Sequence, residues 1–322
     1  MIMNKRSWLS LCLSSLLLIA CGGGQQGDES SAGVSSGGTG SYSNGSISAF
    51  GSIVVNGIHF DQRLATVTDA EGQAHTPDDL KLGMVVDLDA SSISVNQGKQ
   101  TASALAIRIS SELLGPVDSV GADDLSLMGQ IVRVDSQTYF GDTLPQRLQS
   151  VQVNDVLEVY GRHDPKSNTY IATRIEKRDP TGVAHFVVKG VVQNLNVFTG
   201  SCRIGNQYLS GWQQLPAGVQ NGRVARATID SQSTGVAGYW RTQAITLSTP
   251  LVTDRDDATV EGPVTAIPTG STHRFSVNGI DVDARAANCP VCANLQLGDW
   301  VDVRGRLVNS AITAMDVRAA PR

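Results

Sequence analysis

Four stretches of this chain follow one grammar at a spacing of about 70 residues, and that repetition restricts the fold more than any other feature. LKLGMVVDLDA begins at Leu80, VQVNDVLEVYG at Val151, VQNGRVARATI at Val219 and LQLGDWVDVRG at Leu295. Counted from the turn residue (Gly83, Asn154, Gly222, Gly298), the third and fifth positions are apolar in every copy: Val86 and Leu88, Leu157 and Val159, Ala225 and Ala227, Val301 and Val303. Between them stand Asp87, Glu158, Arg226 and Asp302. Apolar, charged, apolar is the alternation of a strand with one face in a core and the other in water. Gly or Asn before it suits a tight turn at positive φ.

Two more marks keep the same order. Each copy opens on a short element, GSI at Gly45, GPV at Gly115, GVV at Gly190 and GPV at Gly262, followed by a hairpin centre around Gly57, Gly129, Gly205 and Gly279. Asn56-Gly57 and Asn278-Gly279 are strong hairpin signals, because both central residues of that turn need positive φ. Each copy closes on a small residue and then a β-branched one: Ala104 and Ile107, Ala172 and Ile175, Thr242 and Ile245, Ala314 and Val317. A copy thus offers about five short strands and no amphipathic helix. An open sheet of that size leaves edges exposed, so the expected fold is all-β: tandem small antiparallel β-barrels, OB-like, over residues 44–111, 112–182, 183–252 and 253–322. A lone barrel of about 70 residues is marginal, which gives neighbours reason to pack. The third copy, with Ala225 and Ala227 where the others are larger, is expected to be looser or differently closed.

The G-P-V start, V-N-G hairpin, L-x-x-G-x-x-V-x-V segment and closing A-x-x-I resemble the bacterial envelope repeat known as domain of unknown function 5666. The resemblance runs over roughly residues 44–318, with the first and fourth copies matching best. It implies repeated small barrels on exported proteins, with no established activity and no catalytic residues to carry over.

The N-terminus points to export. Lys5 and Arg6 precede a mostly apolar run from Trp8 to Ala20, too short to span a bilayer and suited to a signal peptide over residues 1–20. Leu18-Ile19-Ala20-Cys21 resembles the bacterial lipobox, which implies cleavage before Cys21 and a diacylglycerol on its sulfur. Two or more acyl chains anchor stably. Gly22, where Asp resembles an inner-membrane retention signal, points to the outer membrane, with a periplasmic or a surface-facing orientation left open. Residues 21–43, rich in Gly and Ser, read as a disordered linker with a reach of about 25 Å. Loss of Lys5 and Arg6 takes the formal charge from −5 to −7, and with export this argues against a nucleic-acid partner.

Chemistry is sparse. Cys289-Pro290-Val291-Cys292 is expected to be a structural disulfide in an oxidising compartment, with a redox dithiol or a metal site as alternatives. Cys202 reads as a buried thiol, with an intermolecular bridge as the other option. The five histidines (His59, His75, His163, His185, His273) make no ligand or catalytic motif, and His163 falls in what reads as a turn-rich loop with Asp164 and Pro165. Asp254, Asp256 and Asp257 lack calcium-loop spacing and read as a solvated loop. No hydrolase, phosphate-loop or dinucleotide motif occurs. No catalytic residue, metal or cofactor is assigned. Trp212, Trp240 and Trp300 could stack on sugars, although Trp300 alternates away from Val301 and Val303 and is expected to lie outside its own barrel. The expected protein is a lipid-anchored, non-enzymatic scaffold whose partner is an envelope protein or a glycan. A redox enzyme centred on Cys289 and Cys292, or a carbohydrate-binding module, are the alternatives.

Overall fold

The computed structural model describes residues 39–211, 215, 217–231, 239–271 and 273–320. The signal segment, Cys21, most of the linker and Trp212 lie outside the described residues. Each copy contributes five principal strands. Unit 1 has β1 (Ser41–Ser46), β2 (Ile53–Val55), β3 (Ile58–Asp61), β4 (Val85–Ala90) and β5 (Lys99–Ile109). Unit 2 has β6 (Leu113–Val120), β7 (Asp124–Leu127), β8 (Gln130–Arg133), β9 (Val156–Asp164) and β10 (Thr169–Arg178). Unit 3 has β11 (His185–Asn196), β12 (Ser201–Ile204), β13 (Gln207–Ser210), β14 (Val224–Asp230) and β15 (Tyr239–Leu247). Unit 4 has β16 (Arg255–Ala266), β17 (Arg274–Val277), β18 (Ile280–Asp283), β19 (Trp300–Val308) and β20 (Ala311–Ala319).

All four units close in the same order, first strand to second, third, fifth, fourth and back to first. Unit 2 shows it fully: β6 pairs β7, β7 pairs β8, β8 pairs β10, β10 pairs β9 and β9 returns to β6. The third and fifth strands run parallel in every unit, and the other pairs are antiparallel. In unit 1 the first-to-second contact narrows to one bridge, Ala49 to Val54. This is the five-stranded closed barrel expected from the sequence, and unit 3 is closed by the same pairing as the rest.

The repeated motif closes each barrel. The turn residues Gly83, Asn154, Gly222 and Gly298 have φ of 81°, 71°, 87° and 82°. Their N–H groups donate to the carbonyls of Ile47, Val117, Val192 and Val264 at 2.8–2.9 Å, two residues after each opening glycine. Those same four residues donate back to the residue after each turn at 2.8–2.9 Å. The opening glycine is explained by the hairpin tip. A Cβ on Gly45 or Gly262 would lie 2.2 Å from the side-chain oxygen of Asn56 or Asn278. Those amides fold over the strand and donate to the carbonyls of Asn44 at 3.0 Å and Glu261 at 2.9 Å. Asn serves twice here, tolerating φ of 52° and supplying the donor. The closing pairs are all buried, from Ala104 and Ile107 to Ala314 and Val317. The small member faces a bulge in the fourth strand, as Ala172 faces Gly161 and Ala314 faces Gly305.

Packing joins the units in two pairs. First strands of units 1 and 4 pair in parallel, with Tyr42 beside Ala258 and Asn44 beside Val260. First strands of units 2 and 3 pair antiparallel at Leu113 to Val188 and Leu114 to Val187. The apolar interior of units 2 and 3 is one continuous cluster. Tyr42 packs into the core of unit 4, and Tyr160 of unit 2 packs into that of unit 1. Ala225 and Ala227 belong to the same apolar cluster as Phe186, whose ring meets that of Trp240 edge-on at 5.8 Å.

Three expectations change. Residues 41–43, read as linker, belong to the fold, because Ser43 Oγ meets Thr259 Oγ1 at 2.8 Å and Ser41 Oγ donates to Ser91 O at 2.8 Å. The charged positions between core residues do not all face water: Asp87 and Arg226 are each 7% exposed, turned onto neighbouring strands and units. His163 lies within β9, next to its last residue Asp164, rather than in a loop, and it is buried against Tyr170 with ring centroids 4.8 Å apart.

Candidate functional site

Because the outward faces of the barrels meet, charged side chains are held at the seams. At the units 2 and 3 joint, Lys189 Nζ lies 2.6 Å from Glu112 Oε1 with both side chains buried. Between units 1 and 3, Arg226 grips Glu71 through Nε at 2.6 Å and a second nitrogen at 3.1 Å. Between units 1 and 4, Arg255 grips Asp89 at 2.6 and 2.7 Å. Burial pushes the Asp87 carboxyl up. The Arg108 charge and hydrogen bonds from Tyr42, Arg108 and Asn44 outweigh it and hold Asp87 below the usual carboxylate range. Arg162 is 5% exposed, donates to Asn44 Oδ1 at 3.4 Å and has no ion pair among the described residues. Burial lowers its affinity for the proton against the opposing pull of Glu112, Asp87 and Glu261. Glu261 is raised by burial and by the Asp302 charge.

A concavity of about 1230 Å³ opens where units 1, 2 and 3 meet. Its aromatic lining comes from Phe50, Tyr139, Phe140 and Tyr160, with Leu82 and Met84 beside them. Its three arginines are each paired: Arg178 to Glu158, Arg174 to Glu176 and Arg226 to Glu71. Burial opposes the Arg178 charge, but Glu158 and its neighbours raise the guanidinium pKa overall. Such a cleft offers a ligand aromatic faces and the free edges of paired groups. Phe50 and Tyr139 are 47% and 40% exposed at its rim. Sequence reading missed these residues. The signal was there only as an aromatic in the loop after β1 and another after β8, with nothing local to show that the loops converge. A smaller hollow of about 270 Å³ sits among Asn44, Asp87, Arg108, Lys189, Arg226 and Asn278.

The residues singled out from sequence are scattered. Cys289 and Cys292 form a disulfide with Cα atoms 5.4 Å apart, beside the short 3-10 turn Cys292–Asn294. Cys202 is free and buried on β12, where burial pushes its thiol up to about 12. His75 lies 3.3 Å from Asp69, His59 meets Ser52 at 3.2 Å, and His163 meets Asn168 at 3.1 Å, so each has a local partner. Burial lowers the His163 pKa. His185 borders the cleft, while exposed His273 accepts a backbone bond from Ala284 at 2.7 Å. Asp256 and Asp257 belong to β16, and Asp254 accepts from the Asn309 N–H at 3.0 Å. Among the described residues no group of three or more His, Cys, Asp or Glu gathers as a metal site. Trp240 packs against the unit 3 core, whereas Trp300 is half-buried with its indole N–H enclosed and unpartnered.

Comparison with known families agrees with the repeat. A family described as a domain of unknown function (DUF5666) matches residues 115–176 and 261–318, which are the bodies of units 2 and 4. The match thus falls on the second and fourth copies, the fourth being one of the two that the sequence favoured. No curated protein matches the chain.

Proposed function

We propose that this chain, built on repeats of a domain of unknown function, is a lipid-anchored envelope protein whose four barrels act together as a non-enzymatic binding scaffold. The observation that carries the binding part is the cleft, whose walls come from three units at once. At about 1230 Å³ it exceeds the usual small-molecule pocket of roughly 300–1,000 Å³, and it suits a polymer chain or a partner's loop. The Leu18–Cys21 segment supports anchoring through the Cys21 sulfur, with attachment to an outer membrane where the cell has two. With Ser41 already in a strand, the intervening linker would hold the block close to that membrane.

Brief crosslinking of the lipidated protein in its own membranes, followed by purification and mass spectrometry, tests both parts. The expected result is an envelope protein or glycan that is lost in a Phe50→Ala, Tyr139→Ala variant, and a Cys21→Ser protein that leaves the membrane fraction. Recovery of the protein alone contradicts the scaffold, and membrane retention of Cys21→Ser contradicts the anchor.

A further inference from the structure

In each unit one outward-facing row crosses the barrel just beyond the hairpin turn. In unit 3 it runs from Gln193 to Arg203, Tyr208 and Tyr239, each in register with the next across four strands. The matching positions elsewhere are occupied differently. Unit 4 places Ser276 beside Asp281, where Ser276 donates to Asp281 at 2.7 Å and Arg223 of unit 3 holds the same carboxylate at 2.8 Å. Unit 2 has Ser126 beside Ile131, and Ser126 donates to Asp118 at 3.1 Å. Unit 1 has buried Val54 beside His59.

Unit 3 alone of the four puts two aromatic rings in this row. Tyr208 and Tyr239 are 43% and 38% exposed with centroids 5.3 Å apart. Arg203 donates to Gln193 Oε1, and its own Nε is enclosed without a partner. Arg241 lies two residues along β15 from Tyr239, on the same face, and is exposed. Neither arginine has an ion pair among the described residues, unlike Arg223 and Arg226 of the same unit. Phe198 stands almost fully exposed in the loop after β11, at the rim of strands that in such barrels carry ligands. Charge points the same way: residues 183–252 hold five of the chain's 25 Lys and Arg but one of its 30 Asp and Glu. Unit 3, which like unit 1 lies outside the family match, thus keeps the shared barrel and carries an open, basic, aromatic row.

We propose that this face of unit 3 binds an acidic oligosaccharide. Sugar rings stack on Tyr208 and Tyr239, and carboxylates along the chain meet Arg203 and Arg241, with Gln193 orienting the Arg203 guanidinium. Planar guanidinium groups suit carboxylates, and exposed tyrosines supply apolar area with little ordering entropy. A single-stranded nucleic acid would use similar groups. The choice of a sugar rests on the envelope reading above and on the acidic balance of the whole chain.

The test is calorimetric titration of the purified full-length chain with a galacturonate hexamer, a maltose hexamer and an oligothymidylate. The galacturonate hexamer is expected to bind best, more weakly as salt rises. Tyr208→Ala with Tyr239→Ala should weaken it by about tenfold or more, Tyr208→Phe should preserve it, and Arg203→Gln with Arg241→Gln should flatten the salt dependence. Tyr208, Tyr239 and Arg241 are exposed and Arg203 is half-buried, so unchanged thermal midpoints report intact folding. Absence of galacturonate binding, binding indifferent to these substitutions, or tighter binding of oligothymidylate overturns the proposal. The titration does not depend on where the cell places the protein. A failed titration with Cys21 still acylated sinks this site and leaves the anchor standing, and a non-acylated protein that still binds does the reverse.

Discussion

The two joints between first strands solve one problem with different chemistry. Units 2 and 3 meet through Leu113, Leu114, Val187 and Val188 over a continuous apolar cluster, with a single buried ion pair, Glu112 to Lys189. Units 1 and 4 meet through small hydroxyls and amides, Ser43 to Thr259 and Asn44 to Asn278, with the Tyr42 ring in the unit 4 core and its hydroxyl bonded back to Asp87 of unit 1. Neighbours in sequence can share a core because a short connection holds them together during collapse. Units 1 and 4, whose partners lie some 200 residues apart, use directional groups that specify register. In the first joint energy comes from area, and in the second from the cost of leaving a buried polar group unmade.

This contrast can be broken in graded steps. The largest expected effect is at the apolar joint, where Glu112→Gln strands the Lys189 charge and should cost about 3–5 kcal/mol. Pairing it with Lys189→Met should restore most of that, as read by denaturant unfolding. At the polar joint, Tyr42→Phe removes a bond to a charged acceptor and should cost about 2 kcal/mol. It should also move the acid limb. The folded pKa of Asp87 is depressed, so its contribution is full above the ordinary carboxylate value near 4 and is lost as pH falls through the folded value. Without the Tyr42 bond that folded value rises, and acid unfolding should begin at higher pH. The Cys289→Ser, Cys292→Ser protein lies away from both joints and should lose up to about 2 kcal/mol on the loop-entropy argument, with no change in partner capture. A selective loss of capture at unchanged stability would favour the redox reading instead. Ser43→Ala is the smallest step, about 1 kcal/mol, and should be felt in unit 4 as well as unit 1.

What was legible in the sequence was local. The turn residues, the Asn-Gly hairpins and the buried pairs such as Ala172 and Ile175 are set by periodicities within a few residues, and the barrels follow from them. The seams were not legible, because an outward position reads as solvent whether water or another barrel covers it. Asp87 and Arg226 show this: their alternation was read correctly and their surroundings were not. The unit 3 row was hidden for a related reason. Tyr208 and Tyr239 are 31 residues apart in the chain and become neighbours only through the parallel pairing of β13 with β15. Once the strands are aligned by their hairpin turns, the row can be read from sequence, and its aromatics then stand out against Ser276 and Asp281.

The central claim is that the first strands wire distant units into one block. It is tested most directly by amide hydrogen exchange on the full chain with Tyr42→Ala. The account predicts that β16 around residues 258–260 and the unit 4 core at Phe275 lose protection together with β1, although they lie more than 200 residues from the substitution. Unit 4 protection unchanged while β1 frays would contradict it, leaving four barrels that fold independently.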